Sequence, residues 1–102
     1  MSRDEPVWWL YLLDCDGRLY TGISTDPARR YREHLAGGAR GARFTRAARQ
    51  VSLLWCAEIG AHGDALRAEH RLRKLPRARK LAIINAHMDG PVVRELLLHQ
   101  DH

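Results

Sequence analysis

The sequence predicts a small α+β domain, a three-stranded antiparallel sheet flanked by helices. Three observations carry this expectation. Two strand-like runs, Val7 to Leu13 and Arg18 to Ser24, are joined by Asp14-Cys15-Asp16-Gly17, and Asp-Gly between such runs is a strong hairpin signal. A third apolar run extends from Val51 to Ile59. Helix start and stop signals occupy the remaining intervals: Asp26-Pro27 before Gly37-Gly38, then Asp64, Pro76 and Gly90-Pro91.

The first run, Val-Trp-Trp-Leu-Tyr-Leu-Leu, is bounded by Pro6 and Asp14 and has the aromatic, apolar character of a buried strand. The connection to the second run is read either as a two-residue Asp16-Gly17 turn or as a four-residue loop from Asp14 to Gly17. In both registers the paired residue numbers have an odd sum, so Tyr11 and Tyr20 fall on one face of the hairpin. Gly22 shares that face and leaves room for something to approach the backbone. Leu10, Leu12, Leu19 and Ile23 take the other face, which reads as core, whereas the tyrosine face reads as a site.

Thr25 or Asp26 can cap the next helix, with Pro27 in its first turn and an end near Leu35. Arg30 and His34 are four apart on one side of it, and Arg29 and Glu33 form a neighbouring pair. Residues 37–50 mix glycine, alanine and arginine with Phe44 and show no clean period, as expected of a mobile basic loop. Arg40, Arg43 and Arg46 in this loop, together with Arg29, are candidate substrate contacts, although a solvated linker has the same composition. Asp64 is expected to cap a helix from Ala65 to about Leu75, and Pro76 to open another that ends near Met88. On the first of these, Leu66, Glu69 and Leu72 are spaced by three, which puts Glu69 on an apolar stripe. A carboxylate there needs a cation or a metal; an ion pair with Arg73, or a helix turned so that Glu69 meets solvent, would also satisfy it. Residues 1–90 are read as the domain and residues 91–102 as a C-terminal tail able to form a short docking helix through Val93, Leu96 and Leu97.

At 102 residues the chain has room for one modest core. Its formal net charge of +5 is accounted for between Asp26 and Arg49, where seven arginines face two carboxylates. Such a field attracts polyanions, and the arginine fork suits phosphate oxygens, so nucleic acid is the expected partner. Cys15 and Cys56 lack metal-ligand spacing and are expected as buried free thiols. His62, His70, His87, His99 and His102 likewise show no ligand spacing. The residues before Pro6 are charged, and no run approaches the roughly 18 apolar residues of a membrane helix. A cytoplasmic protein is expected.

Phosphodiester hydrolysis requires a positioned water, a proton acceptor, positive charge for the phosphorane-like oxygens and help for the leaving oxygen. Tyr11 and Tyr20 can position or deprotonate water, and Arg30 can stabilise the phosphate. His34 can hydrogen-bond to a tyrosine or share the proton transfer. Glu69 can hold Mg²⁺ or Mn²⁺, since a hard cation of this kind keeps most of its water and takes other oxygens from the substrate.

Tyr20-Thr21-Gly22 after the hairpin, Asp26-Pro27-x-Arg29-Arg30-x-x-x-His34, and Ala65-Leu66-Arg67-x-Glu69 together resemble the GIY-YIG nuclease superfamily, within it the small stand-alone bacterial (YhbQ-like) group. The resemblance runs from about Val7 to Ile84. It implies a small antiparallel sheet flanked by helices and a metal-dependent endonuclease acting on DNA, in repair or processing. It further implies that Tyr11 and Tyr20 are the two motif tyrosines, Gly22 the final motif glycine, Arg30 the catalytic arginine, His34 the histidine that follows it and Glu69 the metal ligand. Trp9 and Thr21 depart from the name-giving motifs, as they do among the small bacterial members generally. The alternative is a nucleic-acid-binding module that keeps the basic surface without turnover; a protein-interaction domain would instead require an exposed apolar patch.

Overall fold

Strand β1, Trp8–Cys15, is the middle of a three-stranded antiparallel sheet in the computed structural model, which describes residues 5–36 and 50–99. It lies between β2, Arg18–Ser24, and β3, Val51–Gly60. Its central place explains its unbroken apolar sequence. Leu10 and Leu12 are fully buried on one face, and Tyr11, Leu13 and Cys15 are buried on the other. Strands covered on both sides lose the alternation that marks a half-solvated strand.

The hairpin closes through the two-residue alternative. Cys15 pairs with Arg18 and Tyr11 with Gly22, and Asp16 and Gly17 both take positive φ, 54° and 90°. Two positive φ values in succession define the tight turn for which Asp-Gly is suited. Asp16 also fastens the turn to the start of β3. Its N–H donates to the Gln50 carbonyl at 3.1 Å, and its carboxylate accepts from the Gln50 N–H at 2.8 Å.

β3 contributes to both faces, and a change of register makes this possible. Leu12 is opposite Trp55 but Leu13 is opposite Leu53, so Leu54 is the extra residue of a bulge. Before it, Val51 and Leu53 pack with Tyr11 and Leu13; beyond it, Trp55, Ala57 and Ile59 join Leu10 and Leu12. The buried Trp55 Nε1–H donates to the Met88 carbonyl at 2.8 Å, which answers its hydrogen-bonding need. Cys56 departs from expectation. Cys15 is buried but Cys56 is exposed, because in the alternation beyond the bulge it falls opposite Tyr11, outside the main core.

Four helices complete the described structure. α1, Pro27–Ala36, covers the tyrosine face. The Asp26 carboxylate accepts from the Arg29 N–H at 3.1 Å and caps it. α2, His62–Lys74, starts earlier than expected, with Ala61 at its N-cap and no side-chain cap. Asp64 is therefore a first-turn acid favoured by the helix dipole, and it is ion-paired with Arg67 and Arg94. α3, Arg77–Asn85, follows Pro76. α4, Gly90–Leu98, is capped by Asp89 and buries Val93 and Leu97 in the same core as Leu10 and Leu72.

The apolar stripe of α2 also differs from expectation. Ala65, Ala68 and Leu72 are its buried residues, whereas Leu66 is 46% exposed. Two alanines let the helix approach the sheet closely, and Glu69 borders the stripe instead of lying within it.

Gly90 begins α4 pressed against β3, where an added Cβ would overlap the Glu58 carbonyl oxygen. Gly90→Ala is expected to cost about 1–3 kcal/mol through overpacking. Gly63→Ala, at a helical position with open space, is expected to be neutral or to stabilise by about 0.5–1 kcal/mol. Urea unfolding of the two variants checks the contrast.

Candidate active site

Tyr11 and Tyr20 reach the same face because β1 and β2 pair in the odd-sum register. What occupies the open position at Gly22 is the ring of Tyr11 itself. An added Cβ at Gly22 would overlap Cζ and the hydroxyl of Tyr11. The glycine therefore holds the phenol flat across the hairpin, and the room it leaves is filled by the protein.

α1 brings Arg30 and His34 to this face one turn apart. The Arg30 guanidinium lies close enough to the Tyr11 hydroxyl to favour its ionised form, and it donates a hydrogen bond to Glu33 Oε1 at 2.9 Å. Glu33 thus serves Arg30, not the Arg29 expected from the sequence. Both spacings are neighbours on a helix. The Arg29 side chain is exposed. His34, 1% exposed, lies edge-on to both phenols, with ring centroids 6.5 Å from Tyr11 and 5.6 Å from Tyr20. Edge-to-face contacts at such distances are favourable for aromatic rings.

α2 supplies Glu69. Its carboxylate is ion-paired with Arg73 at 2.8 Å, the partner anticipated four residues on. Its negative charge is also felt by both tyrosines, whose phenols it holds up. Among the described residues no group of three or more His, Cys, Asp or Glu side chains converges, so no closed protein cage for a soft or tetrahedral metal is built. One half-buried carboxylate beside two phenol oxygens is a hard donor set, which fits Mg²⁺ or Mn²⁺.

Burial dominates the electrostatics of the cluster. It pushes Tyr11 from 10.0 up to about 12, with Tyr20 adding to the rise and Arg30 opposing it. Tyr20 is raised for the same first reason, and there Arg30 and Arg73 oppose it. His34 is lowered from 6.5 by burial and then by the Arg30 charge. At neutral pH the site holds two neutral phenols and a neutral imidazole against a guanidinium and a carboxylate.

The structure therefore brings Tyr11, Tyr20, Gly22, Arg30, His34 and Glu69 together from four elements. Arg40, Arg43 and Arg46 lie outside the described residues. Sequence reasoning missed Glu33 as the partner of Arg30, and it considered Arg73 only as a partner for Glu69. The Arg73 charge also acts on Tyr20, a contact between elements that helical spacing does not reveal.

A small antiparallel sheet thus carries paired tyrosines beside an arginine and a histidine from one helix and a glutamate from another. Residues 7–82 match the GIY-YIG catalytic domain, and the chain belongs to that family. It is 42% identical over 78 residues to a UPF0213 protein of Cronobacter sakazakii, covering 76% of this chain and 80% of that one. It is 40% identical over 91 residues to the UPF0213 protein YhbQ of Escherichia coli O1:K1, covering 88% and 86%. The solution NMR structure of a UPF0213 protein from Bacillus halodurans aligns with a TM-score of 0.50 at 29% identity, over 93% of this chain and 99% of that one. GIY-YIG domains are nuclease domains, so the expected fold and family hold.

Gly22→Ala is expected to push the Tyr11 ring aside, to cost about 1–3 kcal/mol in urea unfolding and to carry the Tyr11 hydroxyl away from Arg30. His34 has a second signature. Because its folded-state pKa lies below 6.5, the unfolded chain takes up a proton first as pH falls, and stability declines below pH 6.5. Replacing His34 with Phe is expected to remove that decline, as read from melting temperatures between pH 5 and pH 7.

Proposed function

We propose that the chain is an endonuclease that hydrolyses phosphodiester bonds in DNA with Mg²⁺ or Mn²⁺, serving DNA repair or processing in the cytoplasm. The observation that carries this reading is the convergence of two phenol hydroxyls, a guanidinium and a carboxylate around one buried imidazole. The arginine-rich stretch from Arg29 to Arg49 supports a polyanionic substrate.

Arg30 is suited to stabilise the charge that develops on the phosphate oxygens, which is commonly the largest single contribution to such catalysis. The Glu33 carboxylate fixes its orientation. A divalent cation held by Glu69 would supply further charge to the phosphate. Tyr11, a neutral phenol anchored by Arg30, orients the attacking water and in its phenolate form takes the proton that the water loses. Tyr20 keeps its proton and can donate it to the leaving oxygen as the P–O bond breaks. His34, neutral and edge-on to both rings, fixes their positions and can exchange a proton with Tyr20.

A second reading draws on the Glu69–Arg73 ion pair, which already engages the one carboxylate that would hold the cation. In that reading the chain binds nucleic acid without cutting it.

One assay separates the two. Labelled single-stranded, duplex and branched DNA is incubated with wild type and with Tyr11→Phe, Arg30→Ala and Glu69→Ala, in Mg²⁺ or EDTA. Cutting is expected only with metal, with each variant slower by roughly 10²–10³-fold. Binding by wild type without cutting under every metal condition, or undiminished cutting by Glu69→Ala, would overturn the enzymatic reading. The cleavage rate is further expected to climb with pH from 6 to 9. A base raised to about 12 gains phenolate up to about tenfold per pH unit over that range, and Tyr11→Phe is expected to flatten the profile.

A further inference from the structure

We propose that Arg73, Lys80 and the cavity they line form a second phosphate subsite, which holds the phosphodiester next to the one at Tyr11, Tyr20 and Arg30. This rests on the nucleic-acid substrate of the preceding reading and adds the course of the bound strand. A cavity of about 230 Å³ is lined by Leu19, Tyr20, Thr21, Arg73 and Lys80. Tyr20 belongs both to this cavity and to the catalytic cluster, so the two sites are contiguous.

Three features distinguish this cavity from a solvated surface hollow. The first is the grouping of like charges. Tyr20 feels the positive charge of both Arg30 and Arg73, and Lys80 feels that of Arg73. Arg30, Arg73 and Lys80 thus form a series of cations that leads from the tyrosines into the cavity. Secondly, Lys80 has no carboxylate within ion-pair distance among the described residues, and burial together with the Arg73 charge lowers its pKa. Holding a partly desolvated ammonium beside a guanidinium is unfavourable until an anion arrives. The third is Thr21, which is 5% exposed and whose hydroxyl has no hydrogen-bond partner among the described residues. Buried polar groups are usually satisfied, so such an orphan marks a place where a bound oxygen would be favourable.

The Glu69–Arg73 ion pair does not disqualify Arg73, because a guanidinium has five N–H donors and Glu69 engages one side of it. It does make Arg73 a poor residue for the test, since any change there also alters Glu69. Lys80, which has no such tie, isolates the subsite. Lys80→Met removes the charge and keeps an unbranched apolar stem, and Lys80→Arg keeps the charge.

Binding of a labelled oligonucleotide of about 20 nucleotides is measured by fluorescence anisotropy in EDTA between about 50 and 200 mM salt. Lys80→Met is expected to bind more weakly and to lower the slope of log K against log salt by about 0.7 on single strands or about 0.9 on duplex. Lys80→Arg is expected to keep the wild-type slope. When single phosphates are replaced by neutral methylphosphonates, wild type is expected to respond at two adjacent positions and Lys80→Met at one.

An unchanged slope in Lys80→Met, a slope that Lys80→Arg fails to restore, or a wild-type response at a single phosphate would overturn the subsite. The wild-type scan decides the matter even if Lys80→Met does not fold. Wild type that binds with two sensitive phosphates but never cuts leaves the subsite standing and removes the nuclease reading. Wild type that binds no nucleic acid removes both.

Discussion

The contact between the Tyr11 ring and Gly22 is the constraint on which the rest of the site depends. It exists only if β1 and β2 pair in one register, and it holds only while residue 22 lacks a side chain. The phenol laid across the hairpin presents its hydroxyl to Arg30, and burial under α1 keeps that hydroxyl protonated. His34 then fills the angle between the two tyrosines. A one-residue slip of the hairpin would put Tyr20 and Gly22 on the face opposite Tyr11.

Periodicity made much of this legible. The strand period of two, with an Asp-Gly turn, put the tyrosines together whichever loop length applied, and the helix period put Arg30 and His34 on one side. The parts that were not legible depend on distances between elements. Leu66, Glu69 and Leu72 looked like a stripe because the large residues were counted, whereas the buried contacts are made by Ala65 and Ala68. Cys56 looked buried because a bulge leaves little trace in sequence. Arg29 and Arg30 are equally placed to reach Glu33 by helix geometry, and the tyrosine face decides between them by drawing Arg30 inward. Thr21, Arg73 and Lys80 come from three elements whose relative placement no local pattern specifies.

The ion pair between Glu69 and Arg73 gives the acidic corner of the site two possible partners. With Arg73 in place, the carboxylate is compensated in the free protein and its burial carries little penalty. A second cation arriving there competes with an existing contact and does not fill a void. The arginine has donors to spare, so it can remain close while the carboxylate turns. The corner is neutral in the free protein, and a divalent cation there would leave it positive, a charge that substrate phosphates would offset.

The bulge at Leu54 divides β3 into two phases, with odd-numbered residues facing the tyrosines up to Leu53 and facing the main core from Trp55 onward. The strand is therefore read like a text with one deliberate frameshift. Removing Leu54 alone would restore a regular alternation with Leu53 still toward the tyrosines and Trp55 still toward the core, whereas losing a second residue with it would turn one half of the strand to the wrong face. The constraint on the strand is thus one of parity: each half keeps its face as long as the residues between Leu53 and Trp55 number none or are absorbed by a bulge.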